Sequence, residues 1–281
     1  MISVRFVRGD GRTFSMDGVL LGLVAASGLD APNVEVFTQK AAAGDGDLIT
    51  AQRVGSRVLE FTAKARKAVL NDPLRRAITA FFSPAQSFQV YIHRADGVRF
   101  ADGCRLESLQ IPTENIHTPL TVTLSLLMPE GYFLSADGFG KNIAAIEPRC
   151  GYPYAAQAGV GRIYGLYAFA QTVYLDNDGD AQAYLKAVFS ARGTVTNPKL
   201  MAGGGFVRML MTLQAGDVLV VDGKTRAVTL NGDNASARLD RHSSFEGIVF
   251  GLGSNTVSYT ADAGANLLDV YVYSNKRYIG A

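Results

Sequence analysis

Tryptophan is absent from the 281-residue chain, and cysteine occurs only twice, as Cys104 and Cys150. The missing tryptophan weakens a sugar-binding reading, because saccharide rings commonly pack on large aromatic faces, although tyrosine can substitute. Two unclustered cysteines support neither a disulfide framework nor a zinc site. Buried free thiols in a protein made in reducing cytosol are the expectation. Blocks of like charge are missing too: 27 Lys and Arg are mixed with 25 Asp and Glu, for a net charge of +2. A nucleic-acid binder would show a basic stripe. The nearest feature, Lys64-Ala65-Arg66-Lys67, reads as a solvated strand end. No stretch approaches the ~20 apolar residues needed to cross a bilayer. The opening Met1-Ile2-Ser3-Val4-Arg5-Phe6 alternates like a strand and lacks the apolar core of a signal peptide. A soluble product is expected, with no membrane insertion and no export by the general secretory route.

What is present is a β-rich pattern. Hydrophobic residues make up 48% of the chain and glycine numbers 30, as expected where many strands need many turns. The length admits one large β domain or two ordinary ones. Val34–Phe37 reads as a strand and Lys40–Asp47 as a small-residue loop. Arg57–Ala65 alternates, with Val58, Glu60 and Thr62 set against Leu59, Phe61 and Ala63, the period of a half-buried strand. One helix is predicted over about 72–83. Asp72 supplies an N-cap and Pro73 suits the first helical position. Leu74, Ala77, Ile78 and Phe81 share one face, and Pro84 ends the segment. Phe88–His93 and Val98–Arg105 flank the hairpin signal Ala95-Asp96-Gly97. Leu120–Met128 places Val122, Leu124, Leu126 and Met128 on one side before Pro129-Glu130-Gly131 breaks it.

The loose, polar Ser135–Gly140 marks a domain boundary, giving units 1–135 and 136–281. The second unit shows no helix. Its strand-like runs are Tyr164–Leu175, Ala183–Phe189, Gly193–Thr196, Phe206–Gln214, Val218–Val221, Arg226–Leu230, Gly247–Phe250, Asn255–Thr260 and Leu267–Tyr273. Short strands at near-regular spacing with Gly, Asn and Asp between them indicate a β-sandwich or jelly roll.

No constellation carries chemistry. Asp176, Asp178 and Asp180 have calcium-loop spacing, but Gly179 stands fourth and Ala187 twelfth where that loop needs Gly at the sixth position and Glu at the twelfth. A hairpin turn is the better reading. Gly44-Asp45-Gly46-Asp47 and Gly203-Gly204-Gly205 are loops, since neither sits between a strand and a helix as a phosphate cradle requires. His93, His117 and His242 are scattered, and His93 reads as a rim residue. Ser243-Ser244 beside His242 has no nucleophile elbow. Glu107, Glu114 and Glu130 are too isolated to form a glycosidase pair. The expectation is no enzyme, and no catalytic, cofactor-binding or metal-ligating residue.

The order of segments resembles the distal tail proteins (Dit) of long-tailed bacteriophages, siphovirus-type tail components. In the first unit the resemblance rests on Gly44-Asp45-Gly46-Asp47 followed by Gly55-Ser56-Arg57-Val58-Leu59-Glu60-Phe61. It continues through the helix Asp72–Phe82, the hairpin at Asp96-Gly97 and the closing Met128-Pro129-Glu130-Gly131-Tyr132-Phe133. In the second it rests on Gly193-Thr194-Val195-Thr196-Asn197-Pro198, Gly216–Asp222, Val228–Gly232, Ser243-Ser244-Phe245 and Gly253–Tyr259.

The resemblance implies a mostly β protein with an N-terminal split-barrel-like domain carrying one helix. A C-terminal sandwich of the galectin or carbohydrate-module type follows. It implies a homo-hexameric ring at the distal end of the virion tail, assembled in the bacterial host cytoplasm. The partners would be the tail tube protein, a tail hub or tail-associated lysin protein, and receptor-binding and tape-measure proteins, with DNA only as passing cargo. Ser3–Val7 and Phe88–His93 are the candidate edges for pairing between neighbours. The alternative is a carbohydrate-binding adhesion module, motivated by the galectin-like resemblance and by Tyr152, Tyr154, Tyr164 and Tyr167.

Overall fold

The computed structural model describes residues 2–40, 45–67, 71–112, 118–136 and 172–281 in full, and the backbone of 139–142, 146–148 and 165–167. The chain divides into two compact units, Met1–Asp137 with Arg277–Ala281, and Gly138–Lys276. The protein is mostly β, with one α-helix among the described residues.

The first unit contains β1 (Ser3–Arg8), β2 (Thr13–Met16), β3 (Leu21–Ser27), β4 (Val34–Lys40), β5 (Asp47–Val54), β6 (Arg57–Ala65), α1 (Asn71–Phe81), β7 (Ser87–Arg94), β8 (Gly97–Gln110), β9 (Thr121–Met128) and β10 (Phe133–Ser135). Its main sheet runs in the order β2-β1-β7-β8-β9-β6-β3. Alternation explains why these segments pair as they do. Leu59, Phe61 and Ala63 of β6 and Val122, Leu124 and Leu126 of β9 are buried, as are Phe6 of β1 and Val90 and Ile92 of β7. A slip of one residue would turn all of them to water, so burial holds the register.

Helix α1 closes one end of this core. Leu74, Ile78 and Phe81 are buried, whereas Ala77 is exposed and Phe82 is buried just past the helix. The apolar face is therefore narrower than the spacing predicts. Phe82 packs edge-on to Phe6 at 5.2 Å and to Phe81 at 4.9 Å. Each such side chain contributes on the order of 2 kcal/mol by leaving water. The helix starts at Asn71, whose carboxamide accepts the Leu120 N–H at 2.8 Å and donates to the Thr118 carbonyl at 2.9 Å.

Two sequence expectations change here. Ser3–Val7 and Phe88–His93 are not edges: β1 lies between β2 and β7, and β7 lies between β1 and β8. The ends of this path are β2 and β3, the first too short and the second too poorly alternating to read from sequence. The 40–47 loop is also shorter than expected, because β4 extends to Lys40 and β5 begins at Asp47.

The second unit comprises β11 (Phe139–Asn142), β12 (Ile146–Pro148), β13 (Gly165–Tyr167), β14 (Thr172–Asn177), β15 (Ala183–Tyr184), β16 (Lys186–Ala191), β17 (Val195–Thr196), β18 (Lys199–Ala202), β19 (Gly205–Arg208), β20 (Thr212–Leu213), β21 (Val218–Asp222), β22 (Ala227–Leu230), β23 (Asp233–Asn234), β24 (Val249–Phe250), β25 (Gly253–Thr260) and β26 (Leu268–Ser274). A six-stranded sheet, β11-β26-β16-β21-β22-β23, and a four-stranded sheet, β14-β25-β18-β19, contribute to one core. Phe189, Leu219, Val221 and Val270 come from the first, and Leu200, Val207, Val257 and Tyr259 from the second. Gly203-Gly204 makes the β18–β19 turn with both φ angles positive, the geometry of tight hairpins. Gly205 has a different reason for being glycine. A Cβ there would stand 2.6 Å from the Cα of Gly247, so the two backbones approach too closely for any side chain.

Asp176–Asp180 does not join a hairpin. β14 pairs with β25 and β15 pairs with β24, so the loop crosses between sheets. Phe206–Gln214 likewise splits into β19 and β20, which belong to different sheets. Two short 3-10 turns, Ser236–Arg238 and Ala265–Leu267, interrupt a unit expected to lack helix.

The chain then returns to the first unit as β27 (Arg277–Tyr278), which pairs with β10 through Phe133↔Tyr278 and Leu134↔Arg277. The sequence reading assigned these last residues to the second unit.

Candidate assembly surface

β4 and β5 form a hairpin that belongs to no larger sheet. Its register runs from Val34↔Val54 to Lys40↔Asp47, with an irregularity at Phe37/Thr38. Every residue of β4 is exposed, and every residue of β5 except Val54. The composition is nevertheless apolar: Leu48 is 63% and Ile49 70% exposed, and Val34, Val36 and Phe37 also face water. Two-stranded hairpins standing in water are marginal. Large apolar side chains on a hairpin outside any larger sheet make it a candidate interaction surface.

Local contacts stiffen this arm. The Arg53 guanidinium donates to Glu35 at 2.7 Å and lies over the Phe37 ring at 5.7 Å. Such exposed contacts contribute little individually. The root is held far more firmly. Gly55 N–H donates to the Asn33 carbonyl at 3.1 Å. Arg57, almost fully buried, donates to the carbonyls of Gly28 at 3.2 Å, Asp30 at 2.6 Å, Gly131 at 2.9 Å and Ile279 at 2.6 Å. Burial pulls its pKa below the usual guanidinium range. Its plane also lies 4.7 Å from the Phe133 ring centroid. Gly131, at φ +68°, leaves no room for a Cβ against the Gly55 carbonyl and the Val54 side chain. A cleft of about 320 Å³ opens at the root, lined by Pro32, Val34, Val54, Tyr132 and Ile279 among others. None of this clamp was legible as a site, because its acceptors are backbone carbonyls that leave no trace in residue type.

Those residues singled out in the sequence that the structure describes do not come together. Asp176 lies on β14, and Asp178 is ion-paired with Lys276, which holds its carboxyl below the usual range. The residue that organises this loop is Asn177, unremarked in the sequence. It is buried and donates to the carbonyls of Ala181 at 3.1 Å and Phe250 at 3.0 Å. His93 sits half-buried on β7 opposite Ser3 and Val98. His242 is exposed, with Nδ1 3.2 Å from Asp240. The Ser243 hydroxyl is engaged by the main chain of Arg208, accepting at 2.9 Å and donating at 3.3 Å. Glu107 is exposed on β8. Among the described residues no three His, Cys, Asp or Glu side chains are grouped to hold a metal. Burial pushes the Cys104 thiol up to about 12, so it is a core residue and not a reactive one. His117, Glu114, Cys150, Tyr152, Tyr154 and Tyr164 lie outside the described residues, as does the Tyr167 side chain. No described helix is long and apolar enough to cross a membrane.

Residues 178–277 match the family described as the siphovirus-type tail component, C-terminal domain. No curated protein matches the chain. Among solved structures, SPP1 Dit, described as a paradigm of the hub adsorption apparatus in phages infecting Gram-positive hosts, is similar over 98% of both chains, with TM-score 0.66 and 14% identity. A component of the phage P2 baseplate in its activated conformation with calcium is similar over the full length of both chains, with TM-score 0.58 and 7% identity. At such identities the likeness is one of fold. The resemblance read from the sequence thus stands: residues 178–277 match the siphovirus-type tail component family, within a chain whose fold is similar to that of SPP1 Dit.

Proposed function

We propose that the chain is a structural subunit of a phage tail tip and works by assembly, with no catalytic step. Copies lock around a central opening as a hexameric ring at the distal end of the virion tail, formed in the host cytoplasm. One face of the ring meets the tail tube protein. The other meets the hub or tail-associated lysin protein and the receptor-binding proteins. The opening passes the tape-measure protein and then DNA.

The observation that carries this reading is the β4–β5 arm, apolar and exposed on a clamped root. An arm of one seven-residue and one eight-residue strand spans roughly 23 Å, enough to reach a neighbour. An arm that meets a different surface on the next copy makes a heterologous contact, which closes into a ring when the rotation is right. The fold shared with SPP1 Dit supports the same assignment; the six-fold count comes from the family resemblance. Negative-stain microscopy with light scattering tests it. A six-fold ring is the expected outcome, and a chain that stays monomeric even with tail-tube and hub proteins present overturns it.

The second reading, saccharide binding by the second unit, now has a different footing from the tyrosines named in the sequence. Tyr271 and Tyr273 are both exposed on β26, with Val188 and Lys186 opposite them on β16. A glycan array probed with the full chain, and no hits, ends that reading.

A further inference from the structure

We propose that the acidic tip of the arm seats on the basic strand end of a second copy of this chain, so that Gly46-flanking Asp45 and Asp47 pair with Lys64, Arg66 and Lys67. The proposal rests on the ring reading above and names the surface the arm meets. The sequence presents these two motifs only as a loop and a solvated strand end, and among the described residues none of their charged side chains is ion-paired.

On the arm, Asp45 and Asp47 are exposed and lead directly into the exposed Leu48 and Ile49. On the body, Lys64 lies near the end of β6, and Arg66 and Lys67 follow it, all three exposed. None of these five charged groups has an ion-pair partner among the described residues. The basic group also has apolar company. β3 pairs with β6 through Leu21↔Ala65 and Gly22↔Lys64, and the Arg66 N–H donates to the Leu20 carbonyl at 3.1 Å. This places Val19, Leu20 and Val24 beside the cations, at 71%, 53% and 65% exposure. Each surface thus combines charge with large aliphatic side chains: the tip is acidic on balance, with Asp45 and Asp47 against the single Lys40 opposite Asp47, and the strand end is basic.

The outer edge of β3 sets how the contact is made. Its register breaks between Leu23 and Ala25, where Val24 projects. A bulged edge is a poor template for a long ladder, so side chains carry the docking. Apolar burial supplies affinity, and the charges supply orientation and reject wrong pairings. Tip and strand end are distinct surfaces on one chain, so the contact is head-to-tail, as a closed ring demands.

Charge reversal tests the pairing. One variant carries Asp45→Lys with Asp47→Lys, a second carries Lys64→Glu with Arg66→Glu, and a third combines all four in one chain. Native mass spectrometry and sedimentation read the assembly, and thermal unfolding reads the fold. Each reversal alone is expected to weaken association about tenfold or more, with unfolding unchanged because all four groups are exposed. The combined chain is expected to recover assembly, since every interface then holds the reversed pair. Rings that form as in the parent chain in both single reversals, or a combined chain no better than either, overturn the pairing while leaving the ring reading intact. A parent chain that never assembles removes the ring reading and this contact together.

Discussion

At the scale of single residues, Arg57 shows how one buried charge organises a surface. Its guanidinium is hydrogen-bonded to backbone carbonyls, and the Asp30 carboxylate favours its charge through space. Removing it strands several carbonyls at once, and each unpaired buried group costs about 1–3 kcal/mol. Arg57→Met is expected to destabilise the first unit by about 3 kcal/mol or more in denaturant titration, with Arg57→Lys recovering only part because an ammonium lacks the planar fork. Carboxylates of the second unit make a different prediction. Asp217 is held below the usual range by the Gln214 N–H and the Asn231 carboxamide, Asp262 by the Asn197 carboxamide and then Arg208, and Asp240 chiefly by the His242 N–H. A depressed carboxylate stabilises the folded state above its ordinary pKa and loses that contribution as pH falls. Unfolding midpoints of the second unit should therefore decline below about pH 4. Asp262→Asn should lower the neutral-pH midpoint and flatten that decline; a variant with the parent's acid slope refutes the assignment.

At the scale of elements, burial separates structure from assembly. In α1, Leu74, Ile78 and Phe81 face the core while Ala77 does not, so the helix is held by one narrow stripe. The arm is the opposite case, since it contributes little to the core and presents its apolar side chains outward. Leu48→Ser with Ile49→Ser is expected to leave the thermal midpoint within the change of about 0.5 kcal/mol typical of surface sites. The same variant should lose the assembled species in light scattering. A destabilised monomer would instead mean that the arm folds onto its own body.

At the scale of the whole molecule, the second unit is inserted between two neighbouring strands of the first. β10 leads out and β27 leads back, antiparallel and hydrogen-bonded. The last residues serve the first unit throughout: Ile279 accepts from Arg57, Gly280 accepts from Arg99 at 2.7 Å, and Ala281 N–H donates to the Leu29 carbonyl at 2.8 Å. Ending the chain after Lys276 should thus lower the calorimetric transition of the first unit and spare that of the second. A chain cut there with both transitions unmoved would show that the returning segment is dispensable.

The amino-acid order alone determined the elements that bury one face. β6 spans Arg57–Ala65 as its alternation predicts, β9 buries Val122, Leu124, Leu126 and Met128, and the helix lies within one or two residues of its expected span. Burial writes a period into residue type, and that period can be read. The order of turn signals carried the fold resemblance for the same local reason. Tertiary structure alone decided what has no period. The arm has neither face buried, so β5 leaves no alternation. β3 is broken by its bulge. The Arg57 clamp and the returning β27 are made from backbone groups far apart in sequence, which any residue could supply. The candidate assembly surface sits in that second class, because a surface kept for a partner does not carry the burial pattern of its own chain.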